Sequence, residues 1–584
     1  FASPGAAVKY GSFQIGLERS DVVSQCRLAP VQGPSGGGHG SVTSDRIDGF
    51  QLLDIQHGIL LMVVSSILSL LPSDPGSHPR GMEIQTLSNG LGVHSTTEQR
   101  ATPYADSVRQ LVGETKARLL VPGHGGGPAV SERLTQLLGE KALNLDVTSM
   151  LWGIDRTTSD GLESARSLAA SAYGARKTWF LTNGASQGNR MAIIALASRE
   201  TDSHGIVAQR SAHSSLVDGL VITGLHPAFV TPTIDAELGI AHGVHPDDIA
   251  EALKRTPGTK AVYIISPSYF GAVSDVRAIA DVAHDHGVPL IVDGAWGAHF
   301  GFHGDLPANP ISQGADVLVS STHKMGGSLH QSAMLHLANG PFADELEPLL
   351  DRAHRTTQST SFSSLLTASL DVARSELATR PERITVSLNS ATRLVTALEN
   401  AGFPVASRDF TELRGVVSYD PLNVTVDVRS TGIDGAEVRE RLALEHGILT
   451  ELATSSTVVA LIPPGTELQE SDLVEALTAL RRVESAGSRS GIPALPGAGA
   501  MKLSPRDAYF AQAEVVDAEA AIGRISTESL AAYPPGIPNV MPGEVITQEI
   551  VDFLRAVATS PGGYIRGALD AGIENFRVVR DPSD

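Results

Sequence analysis

The chain has 584 residues, 64 acidic against 44 basic side chains, and a formal net charge of -20. Its 42% hydrophobic and 18% charged content is that of a globular protein, neither disordered nor fibrous, and its length exceeds what one core organises, so two to four domains are expected. The acid excess argues against a general nucleic-acid binder, which needs a basic face, and the single cysteine, Cys26, excludes an intramolecular disulfide and argues against a thiolate zinc site, so no metal is expected.

Taken in chain order, residues 1–81 stand apart. They begin with Phe1, carry a Gly-rich tract at 33–38 and an apolar run at 59–71, and end in the breakers Pro72, Pro75, Gly76, Pro79 and Gly81. The apolar run is shorter than the about 20 residues a membrane-spanning helix needs, and it lies too deep for a signal peptide. The segment reads as a poorly ordered or nonnative extension, with the body starting near Met82. No membrane association is expected, and the location reads as cytoplasmic.

Residues 82–120 read as a polar helical segment. A long α/β region follows over 121–365. In it, 178–182 (TWFLT), 261–265 (AVYII), 290–293 (LIVD) and 316–319 (DVLV) read as buried strands, and 189–198 as a helix. Residues 275–286 place Val276, Ile279, Ala280 and Ala283 on one helical face, with Gly287 at the C-terminal stop. Strands alternating with helices predict a mostly parallel sheet covered on both faces. A small α+β domain is expected over 366–484: helical from 364 to 399, a half-exposed strand at 423–428, a helix at 435–446, a strand at 458–462 and a helix at 471–480. Residues 485–500 (SAGSRSGIPALPGAGA) read as a linker, and 501–584 as a C-terminal domain.

Four features of the α/β region carry chemistry. Lys324, in Ser321-Thr322-His323-Lys324, directly follows a buried strand and is placed to act as an amine nucleophile forming a Schiff base. Asp293 closes the strand LIVD. The turn Thr182-Asn183-Gly184-Ala185-Ser186-Gln187-Gly188 enters a helix, where free N–H groups and the helix dipole favour an anion. It lacks the Lys-Ser/Thr ending of a P-loop and the dinucleotide fingerprint, so a single phosphate suits it. His213 lies between turn and acid. Anion turn, aromatic His, buried acid and Schiff-base Lys, in that order, are the parts of a pyridoxal 5'-phosphate site.

On these residues and several further segments the chain resembles the bacterial ornithine/lysine/arginine decarboxylases of the aspartate-aminotransferase fold. The segments are Pro122-Gly123-His124, Leu145-Asp146-Val147-Thr148, 182–189 (TNGASQGN), 266–271 (SPSYFG), 292–300 (VDGAWGAHF), 321–336 (STHKMGGSLHQSAMLH), Asp420-Pro421-Leu422, Ser504-Pro505-Arg506, 533–538 (YPPGIP) and Pro542-Gly543-Glu544. The resemblance implies a pyridoxal phosphate-dependent transferase-like major domain, a small α+β domain and a C-terminal α+β domain. It implies decarboxylation of a basic amino acid in polyamine metabolism, with a slight lean to arginine over lysine and ornithine. Lys324 would carry the cofactor, Asp293 would pair with the ring nitrogen and His213 would stack on the ring. Ser186, Ser321 and His323 would hold the phosphate, with backbone from Ala185 and Gln187; Ala295 would pack on the other ring face and Trp296 near the ring hydroxyl. Lys324 and His323 both stand as the acid that protonates Cα. Glu451 and His124 are candidates for substrate binding, Glu451 at the distal end of a basic side chain.

This chain departs from the family pattern at Gly125, Ser214, Ser215, Ala185 and Gly294, which bears on substrate and reaction outcome more than on cofactor binding. It lacks the large N-terminal wing domain of longer members, so a homodimer, or a dimer of dimers, is expected. An aminotransferase, oxidase or β-eliminating lyase on the same fold is the alternative, and a non-catalytic regulatory homologue a third reading.

Overall fold

A computed structural model describes residues 94–126, 130–156, 160–201, 203–481, 495–533, 537–560 and 563–581. The expected extension 1–81, with Cys26 and the apolar run, and the start near Met82 lie outside the described residues. So do residues 482–494, which include the start of the expected linker 485–500, and residues 534–536 of the YPPGIP segment. Among the described residues no helix is long and apolar enough to cross a membrane.

Seven strands form the central sheet: β1 (Lys177–Leu181), β2 (Gly205–Gln209), β3 (His226–Val230), β4 (Val262–Ile265), β5 (Leu290–Asp293), β6 (Val317–Ser320) and β7 (Ala333–Leu337). Their spatial order is β1-β7-β6-β5-β4-β2-β3. Pairing is parallel from β6 through β3, and β7 runs antiparallel to both β6 and β1. Alternate residues of each strand serve opposite cores. Trp179, Leu181, Tyr263, Ile265, Ile291 and Val319 join one apolar cluster, and Phe180, Val262, Ile264, Val292 and Leu318 join the other. This two-sided burial is why the strands read as continuous apolar runs.

The helices follow from their own patterns. Helix α1 (Pro103–Glu114) and the turn Thr96–Gln99 supply the helical character expected near the start of the body. A buried ion pair ties them down: Asp371 accepts from the Tyr104 and Ala105 N–H groups, and Arg374 donates to the Gln99 and Ala101 carbonyls. Helix α2 (Gly161–Ala172) covers the second core. Helix α3 (Gly184–Ala197) begins five residues before the expected 189, because the Gly- and hydroxyl-rich turn is itself the first helical turn. At Gly188 a Cβ would stand 2.7 Å from Val319 Cγ1, so glycine lets α3 press onto the sheet. Helix α4 (Ser214–Thr223) packs beside α3. Helix α5 (Val276–Asp285) is capped by Asp275 and buries Val276, Ile279, Ala280 and Ala283, as its periodicity predicts.

After helix α6 (Ala343–Thr357), the region expected to be one helical stretch splits into α7 (Ser364–Thr379) and α8 (Pro381–Asn400), broken at Pro381, which starts the second helix. The smaller sheet has the order β8-β10-β9, from β8 (Asn423–Asp427), β9 (Leu452–Ala453) and β10 (Thr457–Leu461). Strand β8 was expected to be half-exposed, but every residue in it is buried. One face joins the small core, and Asn423 and Thr425 on the other bond to the Tyr269 and Phe270 carbonyls. Helices α9 (Gly435–His446) and α10 (Glu470–Arg481) complete that core.

The C-terminal region pairs β11 (Ala513–Asp517) with β15 (Asn575–Val579). It also forms the sheet β13-β12-β14 from β12 (Leu530–Tyr533), β13 (Pro538–Val540) and β14 (Tyr564–Arg566), with helix α11 (Gln548–Thr559) against it.

Candidate active site

The carboxyl ends of β1, β4, β5 and β6 and the starts of α3 and α4 surround a cavity of about 430 Å³, within the range of small-molecule sites. Lys324 reaches it from the short helix Thr322–Met325 that follows β6. Its Nζ lies 3.6 Å from the centroid of the Trp296 ring. Burial pulls the amine pKa down to about 8, against the opposing pull of the Asp293 and Glu451 carboxylates. A lysine in this state has an appreciable neutral fraction near neutrality, which a nucleophilic amine needs.

Asp293, the last residue of β5, is buried and held by three donors. Oδ2 accepts from Asn189 Nδ2 at 2.8 Å and from the Tyr263 hydroxyl at 3.1 Å, and Oδ1 accepts from the Ala295 N–H at 3.1 Å. Burial, with Asp293 alongside, raises the Tyr263 phenol well above its ordinary value, so it stays a donor. Asn189 Nδ2 also donates to Ser215 Oγ, which lies 2.9 Å from His213 Nδ1. His213 is the N-cap of α4, and its Nδ1 accepts from the Ser215 N–H. Burial lowers its pKa to about 4; Asp293 opposes this, and Lys324 and Arg566 reinforce it. The ring is therefore neutral, with its proton on Nε2. Acid and imidazole are thus set by one hydrogen-bonded chain.

The same cavity is lined by Gly184, Ala185 and Ser186 in the first turn of α3, together with Ser321, His323 and His330. No side chain caps α3 by hydrogen bond, and its first N–H groups have no partner within the helix. His323 Nδ1 lies 2.9 Å from the Ser332 carbonyl, to which it donates, and burial lowers its pKa. Ala295, Trp296 and Tyr269 form walls.

Of the residues expected at the site, Ala185, Ser186, His213, Asp293, Ala295, Trp296, Ser321, His323 and Lys324 line this one cavity. Gln187 does not. Its N–H bonds to the Asn183 carbonyl and its side chain to the Asn183 N–H and Gln358 Oε1, so it braces the turn from behind. His124 also lies off the lining, 3.1 Å from Asp146 Oδ2. Glu451 lies off it too, although its charge reaches Lys324. Sequence reasoning missed Asn189, Tyr263, Tyr269 and His330 as site residues. Asn189, Tyr269 and His330 stand inside the family-like segments 182–189, 266–271 and 321–336. Tyr263 was hidden in an apolar run, where its buried hydroxyl, which needs a partner, was the available signal.

This donor set fits pyridoxal phosphate: an amine, a carboxylate fixed by three donors, a neutral imidazole, and free N–H and hydroxyl groups at the start of α3 and at Ser321.

Comparison with known proteins agrees. Residues 102–400 match the model of the Orn/Lys/Arg decarboxylase major domain, and 496–562 that of the Orn/Lys/Arg decarboxylase C-terminal domain. The chain is 33% identical to the arginine decarboxylase of Bacillus subtilis, over 83% of this chain and 99% of that protein. It is 24% identical to the lysine decarboxylase of Pseudomonas aeruginosa, over 75% of this chain and 73% of that protein. The solved structure of lysine decarboxylase A from Pseudomonas aeruginosa superposes with a TM-score of 0.71 at 21% identity, covering 83% of this chain and 81% of that one, which shows a shared fold.

Proposed function

The chain belongs to the Orn/Lys/Arg decarboxylase family, pyridoxal phosphate-dependent enzymes that decarboxylate basic amino acids, and from that premise we propose that its substrate is arginine. The observation that carries this is the 33% identity to an arginine decarboxylase across 99% of that protein's length. The lysine decarboxylases compared reach 24%.

In this reading Lys324 would anchor the cofactor, Asp293 would pair with its ring nitrogen and His213 would stack on the ring. Ser186, Ser321 and the first turn of α3 receive the phosphate. Bound there, pyridoxal phosphate supplies an electron sink for the pair left at Cα when carbon dioxide departs. Asn189 and Tyr263 keep the Asp293 carboxylate aimed, and Trp296 and Tyr269 wall the reacting end from water. Between the two candidate acids, Lys324 is favoured. The Nδ1 proton of His323 is committed to the Ser332 carbonyl, and its neutral Nε2 has none to give. Lys324, with a pKa of about 8, carries a proton at neutral pH and delivers it to Cα. Glu451 supplies negative charge toward the distal cation of the substrate, supported by its effect on Lys324. The active assembly in this reading is a homodimer.

Carbon dioxide and amine release from arginine, lysine and ornithine tests the proposal. Arginine should turn over fastest, and Glu451→Ala should erode the preference for a cationic side chain. Faster release from lysine or ornithine overturns the arginine assignment, and an unaltered preference in Glu451→Ala overturns the role of Glu451.

A further inference from the structure

The phosphate end of the cavity is short of committed positive charge. A phosphate monoester carries about -1.5 to -2 charges at neutral pH, and among the described residues lining the cavity there is no arginine. Lys324 lies over Trp296 and is the amine that anchors the cofactor. The start of α3 offers its dipole, worth about half a charge, but Ala185 in that turn has no hydroxyl. His323 is a poor donor here. Its Nδ1 proton goes to the Ser332 carbonyl, so Nε2 donates only when the ring is charged, which burial and the neighbouring Lys324 and His330 oppose.

His330 has what His323 lacks. It lines the same cavity, its ring stands edge-on to His323 with centroids 4.7 Å apart, and neither of its nitrogens hydrogen-bonds to another described residue. It is exposed, so either nitrogen is free to carry the proton. Its position is built. The next residue, Gln331, holds a left-handed backbone at φ 74°, uncommon for a non-glycine residue. Gln331 Nε2 donates to Asn183 Oδ1, the N-cap of α3, at 3.3 Å. On the other side, the Leu329 N–H donates to Ser369 Oγ at 3.1 Å. The loop is therefore tied to the phosphate turn on one side and to α7 on the other, with His330 between the ties.

We propose that His330 is a phosphate-holding residue, donating an imidazole N–H to a cofactor phosphate oxygen that the turn at Ala185 leaves without a side-chain donor. The inference rests on the pyridoxal phosphate reading of the cavity, and it concerns affinity, not the chemical step.

The test is a titration of cofactor-free protein with pyridoxal 5'-phosphate and, separately, with pyridoxal, which lacks the phosphate, read as dissociation constants by absorbance. His330→Ala should weaken binding of the phosphorylated aldehyde about tenfold or more, the size of one hydrogen bond to a charged group, and leave pyridoxal unchanged. His330→Gln, which keeps a neutral donor, should lose less. Ala185→Thr in the His330→Ala background should recover affinity for the phosphorylated form by adding a hydroxyl to the same turn. Equal weakening toward both aldehydes, or unchanged dissociation constants with a fallen kcat, overturns the proposal. Wild-type protein that binds neither aldehyde overturns the cofactor reading beneath it, and the two failures are distinguishable.

Discussion

Lys324 and Asp293 set what the site can do, and both are tuned by neighbours. Burial brings the Lys324 amine to a pKa of about 8. Only the unprotonated amine attacks an aldehyde, so cofactor-free protein should capture pyridoxal phosphate with a rate that rises about tenfold per pH unit below 8 and flattens above it. Stopped-flow absorbance across pH 6–10 measures this, and a profile that keeps climbing to pH 10 would mean an ordinary lysine. Asp293 keeps its aim through Asn189, Tyr263 and the Ala295 N–H. Tyr263→Phe removes one of these donors from a buried site and costs about 1–2 kcal/mol of orientation. The expected result is a kcat lowered about tenfold with KM little changed, since the phenol bears on the acid and touches no substrate. The Lys, the acid and the turn were legible because each sits at a strand end or helix start that the sequence marks, and the imidazole only through its order between turn and acid. Tyr263 was not legible, since a hydroxyl bonded through the core leaves no trace in an apolar run. Gln187 was read as a phosphate contact because it lies in the turn, but at the fourth helical position its N–H already has a carbonyl partner.

Helix α4, which His213 caps, is gripped at both ends by the C-terminal region. Arg566 Nη1 donates to Ser214 Oγ at 2.7 Å at its start, and Arg506 donates to the Val221 and Ile222 carbonyls near its end, where cations also meet the helix dipole favourably. Just before it, Arg210 pairs with Glu544 at 2.9 Å and donates to the Pro538 carbonyl. Glu544 is 2% exposed, so removing its charge leaves a buried guanidinium without its carboxylate, which costs about 3–5 kcal/mol. Glu544→Gln should lower the urea midpoint substantially. Arg210→Met with Glu544→Leu should recover much of the loss, because an apolar pair carries no unpaired charge. If the single substitution is neutral, the pair does not secure the C-terminal region. Strands β4, β5 and β6 and helix α5 were legible at this scale because period and caps are local, whereas the parallel strands β2 and β3 were not read from the sequence. The burial of β8 was not, because what covers its outer face is the Tyr269–Phe270 backbone, far away in sequence. The family motifs VDGAWGAHF and Asp420-Pro421-Leu422 also meet only in three dimensions, where buried His299 Nε2 stands 3.1 Å from Asp420 Oδ2.

The molecule as a whole carries two opposing terms for self-association. Each chain has a net charge of -20, which repels a second copy. Yet residues 119–152 expose Leu119, Val121, Leu137, Met150 and Trp152 by two thirds or more, with Leu120 and Leu138 about half exposed. Leu120 and Val121 line a small cavity together with Val147 and Leu151, which brings the stretches around 120 and 150 side by side. Burying such exposed apolar side chains at about 25 cal/mol per Å² favours association, whereas the charge term weakens as salt screens it. If the homodimer forms through this surface, sedimentation should give a dimer whose dissociation constant falls as ionic strength rises from about 0.05 to 0.5 M, a range over which the screening length shortens severalfold. Leu119→Asp with Trp152→Glu should shift the distribution to monomer. The far-ultraviolet circular dichroism should stay unchanged, because these side chains already face water. A monomer at every salt concentration, or a dimer indifferent to the paired substitution, would mean that this surface meets something other than a second copy of the chain.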